Sequence, residues 1–140
     1  MKTFALRLHP GQDLKQSLVA FSREHNLRAG FILTCVGSLS RAGLRLAARP
    51  ETTIYEDTFE IVSLTGTLCP DGVHLHISIS DGGGVTLGGH LQDGNIVRTT
   101  AELVIGELEG LSFSRPLDPQ TGYDELVVTE QQPGGQASQE

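Results

Sequence analysis

The sequence predicts an α+β fold: a single domain with a mainly antiparallel central sheet of about seven strands and one helix in its N-terminal half. Three observations predict it. One segment near the N-terminus stripes apolar residues at the helical period. Almost every later apolar run is short, β-branched or alternating, and bounded by glycine or turn residues. The chain has 140 residues, enough for one hydrophobic core and too few for two.

The first element is "KTFALRL", where Phe4, Leu6 and Leu8 alternate with polar neighbours as in a half-buried strand. Arg7 and His9 interrupt its apolar character, so it is read as a strand and not as a signal peptide. In "GQDLKQSLVAFSREHNL", Leu14, Leu18, Phe21 and His25 fall on one helical face. Asp13 is placed to cap the start of that helix, with Gln16 three residues on as in a capping box. Asn26 can adopt the left-handed conformation that ends it.

The remainder reads as strands. "AGFILTCVGSL" and "AGLRLAA" come first, followed by a turn at Pro50–Glu51. "TTIYEDTFEIVSLTGTLC" is rich in β-branched and aromatic residues, with Gly66 as a bend or bulge. "VHLHISIS", "VTLGGHL" and "NIVRTTAELVI" complete the set, with turns at "DGG" and "QDGN". Beyond Gly110 a surface loop is expected, ending in a short strand at "ELVV". The polar residues 129–140 form a tail expected to be disordered unless a neighbour orders it.

Composition narrows the function. The formal net charge is −7, which disfavours phosphate-neutralising contacts, and Arg41, Arg45 and Arg49 are too few to make a basic patch. A small molecule, a metal or a protein suits this charge better. No apolar run reaches the roughly 20 residues that span a bilayer, so no membrane partner is expected. Cys35 and Cys69 lack zinc-ribbon or CxxC spacing and read as small buried hydrophobes, which makes a cytoplasmic location the expectation. No P-loop, GxGxxG, G-x-S-x-G or HExxH motif is present.

The chemistry-bearing stretch is "GVHLHISISDGGGVTLGGHL", which holds three of the five histidines. Strand alternation puts His74, His76, Ser78 and Ser80 on one face and Val73, Leu75, Ile77 and Ile79 on the other. Histidines at i and i+2 stand about 6.6 Å apart along a strand, close enough for both imidazoles to reach one ion. An HxH pair on a half-exposed strand can equally be a solvated face. A hairpin through "DGGG" brings His90 alongside as a third ligand, with Gly88 and Gly89 allowing the backbones to approach. His9 and His25 are isolated and are assigned no role. Among the acids, Glu102 and Glu60 are candidates for proton transfer, and Glu102 or Asp81 for orienting a histidine from behind.

"FEIVSLTGTL", "GVHLHISISD" and "GGHLQDGNIVRTTAELVI", together with "RLHPGQDLKQSLVAF" and "AGFILTCVGSLSRAGLR", resemble the PPC (plants-and-prokaryotes-conserved) domain family over residues 1–128. In plants this domain accompanies AT-hook DNA-binding motifs; in prokaryotes it usually stands alone. The resemblance implies an α+β fold, a homotrimer and a metal held at the HxH and GGH positions, here His74, His76 and His90. The AT-hook core has no counterpart in this chain, which therefore resembles the stand-alone type. From residues and resemblance together, the expectation is a homotrimer binding a divalent metal, zinc, through the three histidines. The alternatives are a DNA-binding regulatory module, a metal-dependent hydrolase or lyase acting on a small molecule, and a small-ligand sensor.

Overall fold

The computed structural model describes residues 1–132. The elements run β1 (Lys2–Leu8), α1 (Leu14–Glu24), β2 (Gly30–Arg45), β3 (Thr52–Tyr55), β4 (Phe59–Cys69), β5 (Gly72–Ser80), β6 (Thr86–Leu91), β7 (Ile96–Glu107), β8 (Leu111–Ser114) and β9 (Val127–Glu130). Seven strands form one antiparallel sheet in the order β1-β7-β2-β4-β5-β6, with β3 on β2, and β8 and β9 form a separate pair. The expected fold class and single helix are both present.

Helix α1 begins as its sequence dictates. The Asp13 carboxylate accepts the Gln16 backbone N–H at 3.0 Å, and its other oxygen accepts the Gly94 N–H at 2.8 Å. The cap thus also ties the helix to the turn before β7. Leu14 and Leu18 are fully buried, and the helix packs against β4, β5 and β7. Burying each leucine stabilises the domain by about 1.5–3 kcal/mol. Asn26 ends the helix with φ at +47°.

The two runs read as "AGFILTCVGSL" and "AGLRLAA" are one strand of 16 residues, β2. Register shifts between Ile32 and Thr34, and again between Gly37 and Arg41, absorb the breaks in its alternation. That length has an architectural effect. Along its first part β2 lies between β7 and β4; at its end, Leu44 and Arg45 pair with Leu91 and His90 of β6. Strands β2, β4, β5 and β6 therefore close into a ring around Leu39, Leu44, Leu64, Leu75, Ile77 and Leu91. Asn95, wholly buried, pins the closure. Its amide donates to the carbonyls of Gly43 (2.8 Å) and Gln92 (2.7 Å) and its Oδ1 accepts the Gly43 N–H (3.2 Å).

Beyond Gly110 the structure departs from a plain surface loop. β8 and β9 pair from Leu111↔Glu130 to Ser114↔Val127, so the segment between them is held at both ends. The tail boundary expected at residue 129 falls inside β9. Thr129 and Glu130 find partners in Ser112 and Leu111, and the last part of the expected tail, 133–140, lies outside the described residues. Cys35 and Cys69 are buried free thiols, and burial pushes the Cys35 thiol up to about 12. Among the described residues, no helix is long and apolar enough to cross a membrane.

Candidate metal centre

The histidines are brought together by strand register. Leu75, Ile77 and Ile79 fill the core from β5, which leaves His74, His76, Ser78 and Ser80 on the opposite face, as alternation predicts. The β5–β6 turn is set by Asp81, whose carboxylate accepts the N–H groups of Gly83 and Val85, both at 2.9 Å. With that turn fixed, His90 lies directly across from His76. One row of direct partners then crosses four strands: Thr65 on β4, His76 on β5, His90 on β6 and Arg45 on β2. His74 lies one step along, opposite Thr67.

Glycines make this spacing possible. Gly66 has φ at +144°, and a Cβ there would run into the backbone carbonyl of His74. Gly88 and Gly89 face the carbonyls of Ile77 and Arg45 at distances where a side chain would have to displace backbone. The close approach expected at these last two positions is present.

Three imidazole nitrogens, one each from His74, His76 and His90, lie within 4.8 Å of one another. The Nε2 atoms of His74 and His76 are 3.2 Å apart. Tetrahedral ligation with bonds of about 2.0–2.1 Å spaces nitrogens roughly 3.4 Å apart, so this pair already has the required separation and His90 needs only a small closure. Two imidazole nitrogens at 3.2 Å either share an N–H···N hydrogen bond between neutral tautomers or converge on a cation. The protein environment favours neutral rings at His74 and His90. Burial, then the Arg115 guanidinium, holds His74 below the usual imidazole range; burial, then Arg45, pushes His90 down to about 4. Neutral imidazole is the metal-binding form. This donor set fits a divalent ion of zinc type, with a coordination position left for a further ligand.

Clefts open around the cluster. The largest of them, ≈ 360 Å³, is bounded by His74, His90, Arg45, Arg115, Tyr123 and Glu125 among others. A second, ≈ 250 Å³, touches His74, His76, Arg115 and Glu125. The segment between β8 and β9 forms the far wall. Arg115 anchors it, donating to Thr67 Oγ1 at 2.9 Å and to the Asp124 carbonyl at 3.1 Å.

The acids singled out in the sequence lie elsewhere. Glu102 sits on β7 opposite Arg7 of β1 and accepts from Thr100 Oγ1 at 3.4 Å. Glu60 pairs with Ser80 at the far end of β4. Asp81 serves the hairpin turn. None of the three borders the clefts just described. The acids that do are Asp71, Asp124 and Glu125; of the lining residues, sequence reasoning missed Arg45, Arg115, Tyr123 and Glu125 as site residues. Arg45 was legible as the partner of a GGH strand only once the β2–β6 register was known. The other three lie in a stretch whose turn chemistry carries no periodic signal. His25, assigned no role, stacks on Phe21 with ring centroids 4.0 Å apart.

Fold and site together define an antiparallel α+β protein with a three-histidine cluster on one sheet face. Residues 1–109 match the family model described as the Plants and Prokaryotes Conserved (PCC) domain, and the chain belongs to that family, the PPC domain of the sequence analysis. A protein from Salmonella enterica has a solved structure that is similar at a TM-score of 0.90, with 49% identity, over 94% of this chain and 95% of that one. A metal-containing protein from Archaeoglobus fulgidus is similar at a TM-score of 0.71, with 27% identity, over 91% of this chain and 94% of that one. The bifunctional protein GlmU of Synechococcus sp. (strain JA-3-3Ab) is 52% identical over 128 residues, which are 91% of this chain and 21% of that protein. The chain thus spans about a fifth of the length of the curated relatives it matches.

Proposed function

We propose that this PPC-domain protein binds one divalent ion, zinc, per chain through His74, His76 and His90. The observation that carries this is the convergence of three imidazole nitrogens on one point beside an open cleft. The metal-containing relative from Archaeoglobus fulgidus supports it. When bound, the ion supplies Lewis-acid polarisation of a ligand oxygen or water. The chain's own residues do the rest: the glycines at 66, 88 and 89 set the histidine spacing, and Glu125 offers a carboxylate within the same cleft for proton transfer. Glu102 and Glu60 line neither of the two clefts beside the histidines. Metal analysis of purified, untagged protein tests the reading. About one zinc per chain is expected for the wild type and none for His76→Ala; wild-type protein without zinc after growth in zinc-supplemented medium would overturn it.

A homotrimer is the proposed assembly. Val36 and Val62 are more than half exposed on the sheet, at 54% and 56%, and a shallow groove bounded by Ala5, Thr34, Val36 and Val104 lies beside Glu102. Exposed valines on a sheet suit a protein partner, here further copies of the chain. Sedimentation should give three chains per particle, and Val36→Asp should lower that number. Buried free thiols at Cys35 and Cys69 agree with a cytoplasmic setting. A metal-dependent hydrolase or lyase, or a ligand sensor, would each use this cleft. DNA binding finds less support at a net charge of −7.

A further inference from the structure

The cleft beside the histidines carries two guanidinium groups that the fold leaves with donors to spare. Arg45 is the last residue of β2 and the direct cross-strand partner of His90, so its side chain rises on the histidine side of the sheet. Among the described residues it makes no hydrogen bond or ion pair through that side chain; its guanidinium carbon lies 5.8 Å from the Tyr123 ring centroid. Arg115 enters from the opposite wall. Its two recorded side-chain bonds, to Thr67 and Asp124, use two of the five N–H donors a guanidinium has. Neither arginine has a carboxylate within salt-bridge distance among the described residues, although Asp71 and Glu125 border the same cleft. Asp71 accepts instead from the Arg115 backbone N–H at 3.3 Å, and Glu125 from the Thr121 hydroxyl at 3.3 Å.

We propose that this cleft binds a small organic carboxylate, held by Arg45 and Arg115 and reaching the histidine-bound ion with a second oxygen. The proposal deepens the metal-site reading and rests on it. A planar carboxylate matches the guanidinium fork, and two such forks beside a cation give it directional as well as electrostatic hold. The acids on the wall disfavour a phosphate dianion, whose higher charge would meet Asp71, Asp124 and Glu125. Tyr123 and Val73 offer apolar surface for the carbon part of the ligand. A cleft of ≈ 360 Å³ suits a small molecule rather than a polymer.

The test is calorimetric and needs no activity. Zinc-loaded protein is titrated with glycolate, with lactate and with inorganic phosphate; the same titrations follow for Arg45→Gln and Arg115→Gln. Saturable binding of at least one carboxylate, tighter than phosphate, is expected. Each variant should weaken it roughly tenfold or more, the loss typical of a charge-assisted bond, while zinc stoichiometry stays unchanged. Arg45→Gln is the cleaner arm, because the Arg45 side chain makes no hydrogen bond among the described residues. Phosphate binding tighter than both carboxylates, no carboxylate binding at all, or wild-type affinity in both variants would overturn the proposal. Failure of the metal reading is separate, because it shows as absent zinc before any carboxylate is added.

Discussion

Two polar constellations stand on β-strands of this sheet, and they differ in kind. On β1 and β7, Arg7 faces Glu102, its Nε donates to Thr100 Oγ1 at 3.0 Å, and Thr100 in turn reaches Glu102. On β5 and β6, three histidines face one another with Arg45, Thr65 and Thr67 as their other cross-strand neighbours. The first group contains donors, acceptors and both signs of charge, and it is satisfied internally. The second is composed of like groups crowded together, with no carboxylate across the strands from them. Strand alternation makes both look alike in sequence; the chemistry of the partners across the strands separates them.

That contrast can be broken most sharply by exchanging single residues. His76→Ala should abolish zinc binding, whereas Glu102→Gln should leave zinc content unchanged, as read by metal analysis of the two proteins prepared side by side. Next in size is Gly66→Ala, which forces a side chain into the His74 carbonyl at a backbone angle glycine tolerates best. A loss of at least about 1–3 kcal/mol in urea unfolding is expected, accompanied by weakened zinc affinity. The Glu102→Gln change, at an exposed residue that accepts from Thr100 Oγ1 at 3.4 Å, should cost less than about 1 kcal/mol.

A subtler difference lies in pH dependence. In the metal-free protein, His90 is held down at about 4 and His74 is lowered in the same direction, against an ordinary imidazole value near 6.5. Between those values the unfolded chain binds more protons than the folded one, so stability must fall as pH drops through that window and level off below it. His90→Asn should flatten the slope. Urea midpoints of metal-free wild type and variant, compared near neutral pH and near pH 5, check this; equal slopes would refute it.

The fold was largely legible because periodicity reports burial directly. Leu14 and Leu18 at helical spacing, and Leu75, Ile77 and Ile79 at spacing two, all became core. The three histidines were legible for the same reason, since two share a strand and the third lies just past a glycine turn. β2 was read in two pieces because its bulges break the alternation that marks a strand. The remaining walls of the site were hidden. Arg45 reaches His90 through a pairing between residues far apart in sequence, and Arg115, Tyr123 and Glu125 sit in a proline-containing segment placed by tertiary contacts.

The closure of β2 onto β6 also separates the proposed ligands by how far the chain must travel to assemble them. His74, His76 and His90 belong to a single hairpin, so their meeting costs the closure of one short loop. Arg45 and Arg115 join them only when the long-range β2–β6 pairing and the β8–β9 clasp have both formed. An ion held by the hairpin could therefore engage chains not yet fully native, which trims the stability it lends to the finished fold. An organic anion spanning both arginines would recognise the completed architecture alone, and so would act as the more faithful reporter that folding is done.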